Sequence, residues 1–275
     1  MSDFTSPWQG YDFSGLSAAL SRIQEITRPA LEALQNIQST LQPIVEALEQ
    51  YKPKVAEIGQ ALLQASRRFS AIRKMGDAQF VFWDYMTDEF VDAIVGAENI
   101  NKTLREQLIR DRFSAVNKTI DKTLSSAVMQ KHKRLYSQSV KAFRSGDSDL
   151  AVTGFTSVFD GLLADTSGNP TSRLGPRINA IKQKLDNDEL LNHDEYATIT
   201  LAMTLEKTLD SFSAPSDFKG KEPKGLNRHW IAHGRSTRKK TKLDCVKMIN
   251  LIYGLLLIGD IESTASSNSS CENGV

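Results

Sequence analysis

Cysteine is scarce: Cys245 and Cys271 are the only two among 275 residues. Two cysteines give no disulfide framework and no cysteine-rich zinc site by themselves. They suit a reducing compartment. Long apolar runs are missing too. Met248 to Ile258, near the C-terminal end, is too short to cross a bilayer and contains Asn250 and Gly254. Met1-Ser2-Asp3-Phe4 is acidic, with no charged n-region leading into an apolar core, so no secretory signal is expected. These absences point to a cytoplasmic protein without a membrane partner. Excess charge of one sign is lacking as well. The 34 Lys and Arg face 33 Asp and Glu, a net charge of +1. The chain as a whole is therefore not a nucleic-acid binder by bulk charge. No credible run of alternating strand pattern occurs, and an all-α fold is expected.

The N-terminal third carries a regular apolar stripe: Leu34, Ile37, Leu41, Ile44, Leu48, Tyr51, Val55, Ile58 and Leu62. Its spacing alternates three and four, a heptad pattern. It extends back to Leu16 and forward to Phe69 and Ile72. Pro29, Pro43 and Pro53 fall off the stripe, which keeps its phase through each. That suits a long kinked helix or helices packed end to end. Such a stripe serves either as a hairpin covering the rest of the protein or as a seam for self-association or a protein partner. The polar face, rich in Glu and Gln, argues against a membrane-surface helix. Phe80, Phe82, Trp83, Tyr85 and Phe90, with Val81, Met86, Val91 and Ile94, then read as buried helix.

Residues 1–124 are thus assigned to an N-terminal helical, coiled-coil-like region. Residues 125–261 read as a helical bundle, with helices over Ser126–Phe143, Leu150–Leu163, Leu174–Leu185 and Tyr196–Phe212. A loop rich in Pro, Gly and Lys covers 213–226. The last helix is expected to start at Thr241, where Thr241 and Asp244 form a capping-box-like pair. Residues 262–275 are small and polar and are expected to be a disordered tail.

The most specific stretch is Leu226-Asn227-Arg228-His229-Trp230-Ile231-Ala232-His233-Gly234. It holds an arginine and two of the chain's four histidines. Arginine grips phosphates and histidine moves protons near neutral pH, so the pair suggests phosphodiester chemistry. Asn227 is a good N-cap and Gly234 a good terminator, which frames a short helix from Arg228 to His233. Residues 221–242 hold eight Lys or Arg and one acid, Glu222. In that basic run Arg235, Arg238, Lys239 and Lys240 are the expected RNA contacts, with Asn227 beside them. A solvated loop is the plain alternative. His229 and His233 also have metal-ligand spacing, but Trp230 stands where a zinc protease needs Glu, and no further ligand cluster is near. No metal and no cofactor are expected. His132 and His193 read as surface residues, and Cys245 as packed rather than reactive.

The Arg228-His229-x-x-x-His233 arrangement resembles the signature of the HEPN superfamily: an arginine, a polar residue and a spacer to histidine. The resemblance covers the bundle, not the N-terminal third. It implies a metal-independent endoribonuclease of the toxin or phage-defence type, leaving a cyclic phosphate. It implies that His233 acts as acid or base at the ribose 2′-hydroxyl and that Arg228 holds the scissile phosphate. His229 would fill the polar position beside the arginine. It further implies an acid on an earlier helix, for which Asp160 in Val158-Phe159-Asp160-Gly161-Leu162-Leu163 is the candidate, and a homodimer that pairs two motifs. The competing expectation is a silent HEPN-like module that binds RNA or protein and oligomerises through its N-terminal helices.

Overall fold

The computed structural model describes residues 52–81, 87–185 and 195–272, and among them it contains ten α-helices and no strand. The all-α expectation holds across these residues. The helices are α1 (Lys52–Asp77), α2 (Asp88–Val95), α3 (Ile100–Arg110), α4 (Ser114–Ser125), α5 (Lys133–Ser145) and α6 (Ser148–Ser167). They continue as α7 (Leu174–Leu185), α8 (Glu195–Phe212), α9 (Arg228–Ala232) and α10 (Lys242–Glu272).

Local chemistry sets several of the ends. Thr87 Oγ1 accepts from the Phe90 amide at the start of α2, Asn99 Oδ1 from Lys102 in α3, and Asp147 Oδ1 from Leu150 in α6. Each satisfies an amide that the first turn leaves unpaired. The α5–α6 corner turns at Gly146, whose φ of +87° lies in the left-handed region open to glycine. The single helix expected over Ser126–Phe143 is instead a 3₁₀ turn at Val128–Lys131 followed by α5. Ser126 Oγ accepts from the Val128 amide at 3.2 Å, and a side chain that bonds its neighbouring backbone competes with the helical ladder.

Two helices are buried nearly all round. On α6, Ala151, Phe155, Val158, Phe159, Leu162 and Leu163 are fully buried. On α10, so are Cys245, Val246, Met248, Ile249, Ile252, Leu255 and Leu256. These two pack on one another, and α5 covers the other side of α6. Such helices form the centre of a domain, not its amphipathic shell. Aromatic edges lock the layers: Tyr136 meets Phe155 at 5.5 Å between centroids, and Phe159 meets Phe212 at 5.0 Å.

The core crosses the boundary expected at 124/125. It runs without a break from Ala71 and Met75 through Leu104, Val116 and Ile120 to the residues of α10. Helix α1 packs on α8 and α4 packs on α10, so buried residues of both helices share the bundle's core. Of the heptad stripe, the residues up to Tyr51 lie outside the described residues. Further along, Leu62 is 66% exposed, Phe69 is half-buried and Ile72 is buried, so over these three positions the stripe turns into the core toward the end of α1. Phe80, Val81, Val91 and Ile94 are buried as expected, whereas Phe82, Trp83, Tyr85 and Met86 lie outside the described residues. Helix α10 continues past Ile261 to Glu272, through the segment that composition assigns to a disordered tail. A helix already nucleated over a buried face adds further turns at little cost.

Among the described residues, no helix is long and apolar enough to cross a membrane.

Candidate functional site

The motif forms a short capped helix. Asn227 Oδ1 accepts from the amides of His229 at 3.0 Å and Trp230 at 3.3 Å, and its Nδ2 donates to the Ala214 carbonyl at 2.9 Å. At the far end Gly234 has φ of +64°. The Arg235 amide bonds back to the Trp230 carbonyl at 2.9 Å, closing a Schellman-type end. The cap and terminator expected from the residue types are both present. Asn227 is only 4% exposed and both ends of its amide are used. It therefore builds the helix start, its side-chain oxygen held by two amides and its Nδ2 donating to the Ala214 carbonyl.

Arg228, in the first turn of α9, reaches α6 and meets Asp160 in a two-pronged pair. Its Nε lies 3.0 and 3.1 Å from the two carboxylate oxygens, and its Nη2 lies 2.7 Å from Oδ2. The two side chains are 24% and 28% exposed. A parallel pair of charge-assisted bonds fixes the plane of the guanidinium. Nη1 takes no part in the pair and stays available to a further acceptor.

His229 is half-buried, and its pKa is lowered from the ordinary imidazole value. Burial is the main cause, and the positive charge of Arg228 and the neighbouring His233 add to it. Asp160 and a hydrogen bond to the Ser213 carbonyl oppose them without prevailing. His233 closes α9 as its C-cap and is exposed. The two rings lie nearly parallel, 13° between planes and 6.3 Å between centroids. Arg228, His229, Asp160 and His233 thus occupy one surface.

Phe218, which has no place in the Arg–His motif, joins them. Its ring meets Trp230 at 5.5 Å and His233 at 5.4 Å, both edge to face, and the Arg235 guanidinium stands 4.9 Å from its centroid. Its φ of +59° is unusual for a bulky residue. The turn around it is held by Ser216, whose Oγ accepts from the Phe218 amide at 3.2 Å and from Trp230 Nε1 at 2.9 Å. The sequence carries one signal for it: the one aromatic residue inside a loop rich in Pro, Gly and Lys.

The basic run divides in two. Arg235 and Lys239 are exposed. Lys240 is 6% exposed, its ammonium bonded to Glu222 at 3.2 Å. Arg238 bonds Asp244 at 3.0 and 3.4 Å. Glu222 organises the loop: it accepts from Ser236, from the amides of Thr237 and Arg238 at 2.9 and 3.0 Å, and from Lys240. Burial alone would raise its pKa, but these hydrogen bonds outweigh that and hold it at about 2. Lys240 is thus a buried structural cation, not the outward contact expected of it.

Elsewhere, His132 is not a plain surface residue. It bonds Asp165 at 3.1 Å and is 19% exposed. His193 lies outside the described residues. Cys245 is buried, and burial pushes its thiol up to about 12, which makes it unreactive. Among the described residues no three His, Cys, Asp or Glu side chains gather as they would around a metal ion.

A cleft of about 430 Å³ lies away from the Arg–His surface. It opens between the end of α1, α3, the 223–226 turn and the start of α10.

No family model, curated protein or solved structure matches this chain.

Proposed function

We propose that the chain is a HEPN-type, metal-independent RNA endonuclease, of the toxin or phage-defence kind, acting as a homodimer in the cytoplasm. The observation that carries this reading is the two-pronged Asp160–Arg228 pair beside two parallel imidazoles. The resemblance implies an acid on an earlier helix, and Asp160 meets Arg228 from that position.

The chemistry follows from the groups present. RNA supplies its own nucleophile, the 2′-hydroxyl. His233 takes its proton while the 2′-oxygen bonds phosphorus. The bond from phosphorus to the 5′-oxygen breaks, and that oxygen leaves with the proton that His233 gives back. The products are a 2′,3′-cyclic phosphate and a 5′-hydroxyl. Arg228, oriented by Asp160, offers Nη1 to the charge that grows on the phosphate oxygens. His229, neutral at pH 7, shares the proton work. Phe218, Arg235 and Lys239 flank the scissile position as a stacking edge and phosphate contacts.

One observation favours a second reading. Asp160 already holds two donors on one edge of the Arg228 guanidinium, as in a purely structural tie. On that reading the surface is a silent module for RNA or protein. Incubation of purified protein with total RNA in EDTA separates the two. The nuclease leaves ends that carry a cyclic phosphate, and the silent module leaves the RNA intact. Light scattering over a concentration series tests the dimer, which a concentration-independent monomer with intact activity contradicts.

A further inference from the structure

The cleft between α1, α3 and α10 holds more positive charge than the fold needs. Arg105 on α3, Lys224 in the 223–226 turn, Arg238 and Lys247 on α10 all line it. Its two acids already have partners. Asp244 faces Arg238, and Asp77 faces Lys207. Arg105 and Lys224 make no ion pair among the described residues.

Lys247 forms the floor. It is 6% exposed, yet its one acceptor among the described residues is a neutral amide oxygen, Asn101 Oδ1, at 2.7 Å. An ammonium offers three donors, so two are left over. A buried lysine in a protein interior is almost always matched by a carboxylate. Arg238 repeats the pattern: its Nη atoms serve Asp244, while its Nε–H is buried with no acceptor among the described residues. Buried donors left open in a native fold call for an explanation. A volume of about 430 Å³ falls within the range of small-ligand pockets, roughly 300–1,000 Å³.

We propose that this cleft binds a small, multiply charged phosphate compound, with Lys247 and Arg238 at its floor and Arg105 and Lys224 at its rim. Oxygen acceptors of that class match the open donors, and a charge beyond −1 matches the three uncompensated cations. The positive end of the long helix α10 adds to the same field, since Thr241 and Asp244 at its start line the cleft. Burial draws Lys247 down to about 8, with the Asp244 carboxylate opposing and Arg238 adding to it, so an arriving anion also restores its full charge. Neither Arg228 nor His233 lines the cleft, so the site stands apart from the proposed RNA surface.

The test is calorimetric titration of the full chain with inorganic pyrophosphate at constant ionic strength. Saturable binding with one site per chain is expected. Lys247→Met should weaken it about tenfold or more, the size of one lost charge-assisted bond. The rim pair Arg105→Ser with Lys224→Ser, both exposed and safe for folding, should weaken it similarly. Arg228→Ala should bind as wild type does, which keeps this outcome separate from the nuclease reading. Absence of saturable heat in the wild type overturns the proposal. So does unchanged affinity in the rim double variant. Binding of an RNA oligonucleotide that the rim double variant loses, with no binding of pyrophosphate, would assign the cleft to a nucleic-acid track and overturn the small-ligand class.

Discussion

Asp160 and Arg228 stand 68 residues apart in sequence and bond through three contacts of 2.7 to 3.1 Å. One comes from the middle of a helix buried nearly all round, the other from the first turn of the shortest. A carboxylate in the apolar stretch Phe155–Leu163 is stable there because the guanidinium partners it at the edge of the core. The pair ties α9, which has little core of its own, to α6.

Arg228→Ala and His233→Ala should each lower cleavage of total RNA by roughly 10²–10⁴-fold, the usual weight of a proton-transfer or charge-stabilising group. His233 is exposed, so its variant should melt as the wild type does. Arg228→Ala leaves Asp160 half-buried and alone and should cost about 1 kcal/mol. Gel assays and thermal melts check both. Wild-type cleavage in the two variants would remove the motif from the chemistry.

His229 should titrate below an ordinary histidine, because burial, Arg228 and His233 all disfavour its charged form. It is then neutral at pH 7, and cleavage that depends on the neutral ring should persist on the acid side of the ordinary imidazole range. Arg228→Gln removes one of the depressing charges and leaves Asp160 in place, so the pKa should rise. NMR titration of the ring proton reads this without relying on activity. A His229 that titrates higher in the wild type than in the variant would mean that Arg228 does not depress it.

Glu222→Gln should loosen the loop from Ser236 to Lys240. The carboxylate's folded pKa of about 2 lies below its ordinary 4.5, so its stabilisation is present above the ordinary value and is lost as pH falls toward 2. The expected loss in the variant at pH 7 is roughly 1–3 kcal/mol. Melts at pH 7 and pH 3 test it: the gap between wild type and variant should narrow at the lower pH. Lys240 should also become accessible to acylating reagents in the variant.

Lys247→Met should stabilise the empty protein by roughly 1–3 kcal/mol at pH 7, while weakening pyrophosphate binding. The folded pKa of about 8 lies below the ordinary 10.5, so the fold disfavours the protonated form. The wild type should therefore catch up with the variant as pH rises from about 8 through 10.5. Equal melting temperatures at pH 7 would mean that Asn101 alone compensates the ammonium.

Local signals were legible in the sequence, and long-range ones were not. Leu174–Leu185 shows its helix at the bounds its apolar spacing predicts, and Asn227 and Gly234 mark the ends of α9 through cap chemistry that acts within a few residues. Asp160 was legible as a misfit, a charge inside an apolar helix. Phe218, Gln79 and Lys247 gave no periodic cue, because what defines them is a neighbour outside their own element. Gln79 meets Leu226 across 147 residues and Lys247 meets Asn101 across 146. The split of Lys240 from Lys239 was hidden too. Composition makes them alike, and only the position of Glu222 turns one inward. That one core takes in residues on both sides of 124/125 was hidden for a related reason: periodicity shows that a face is apolar, not which helix covers it.

The amide of Gln79 grips a single residue from both sides. Its Oε1 accepts from the Leu226 amide at 2.6 Å, and its Nε2 donates to the Leu226 carbonyl at 2.7 Å, with Gly225 so close that a methyl group there would strike the Gln79 oxygen. Leu226 immediately precedes the cap of the Arg–His helix, and Gln79 lies just past the end of α1. The Arg–His surface is thus hinged to the helix that leads to the heptad-patterned segment. Any shift of the end of that helix would reach the motif in part through this side-chain amide. The two ends of this joint should loosen as a unit, and hydrogen exchange at the Leu226 amide would report how firmly α1 is docked.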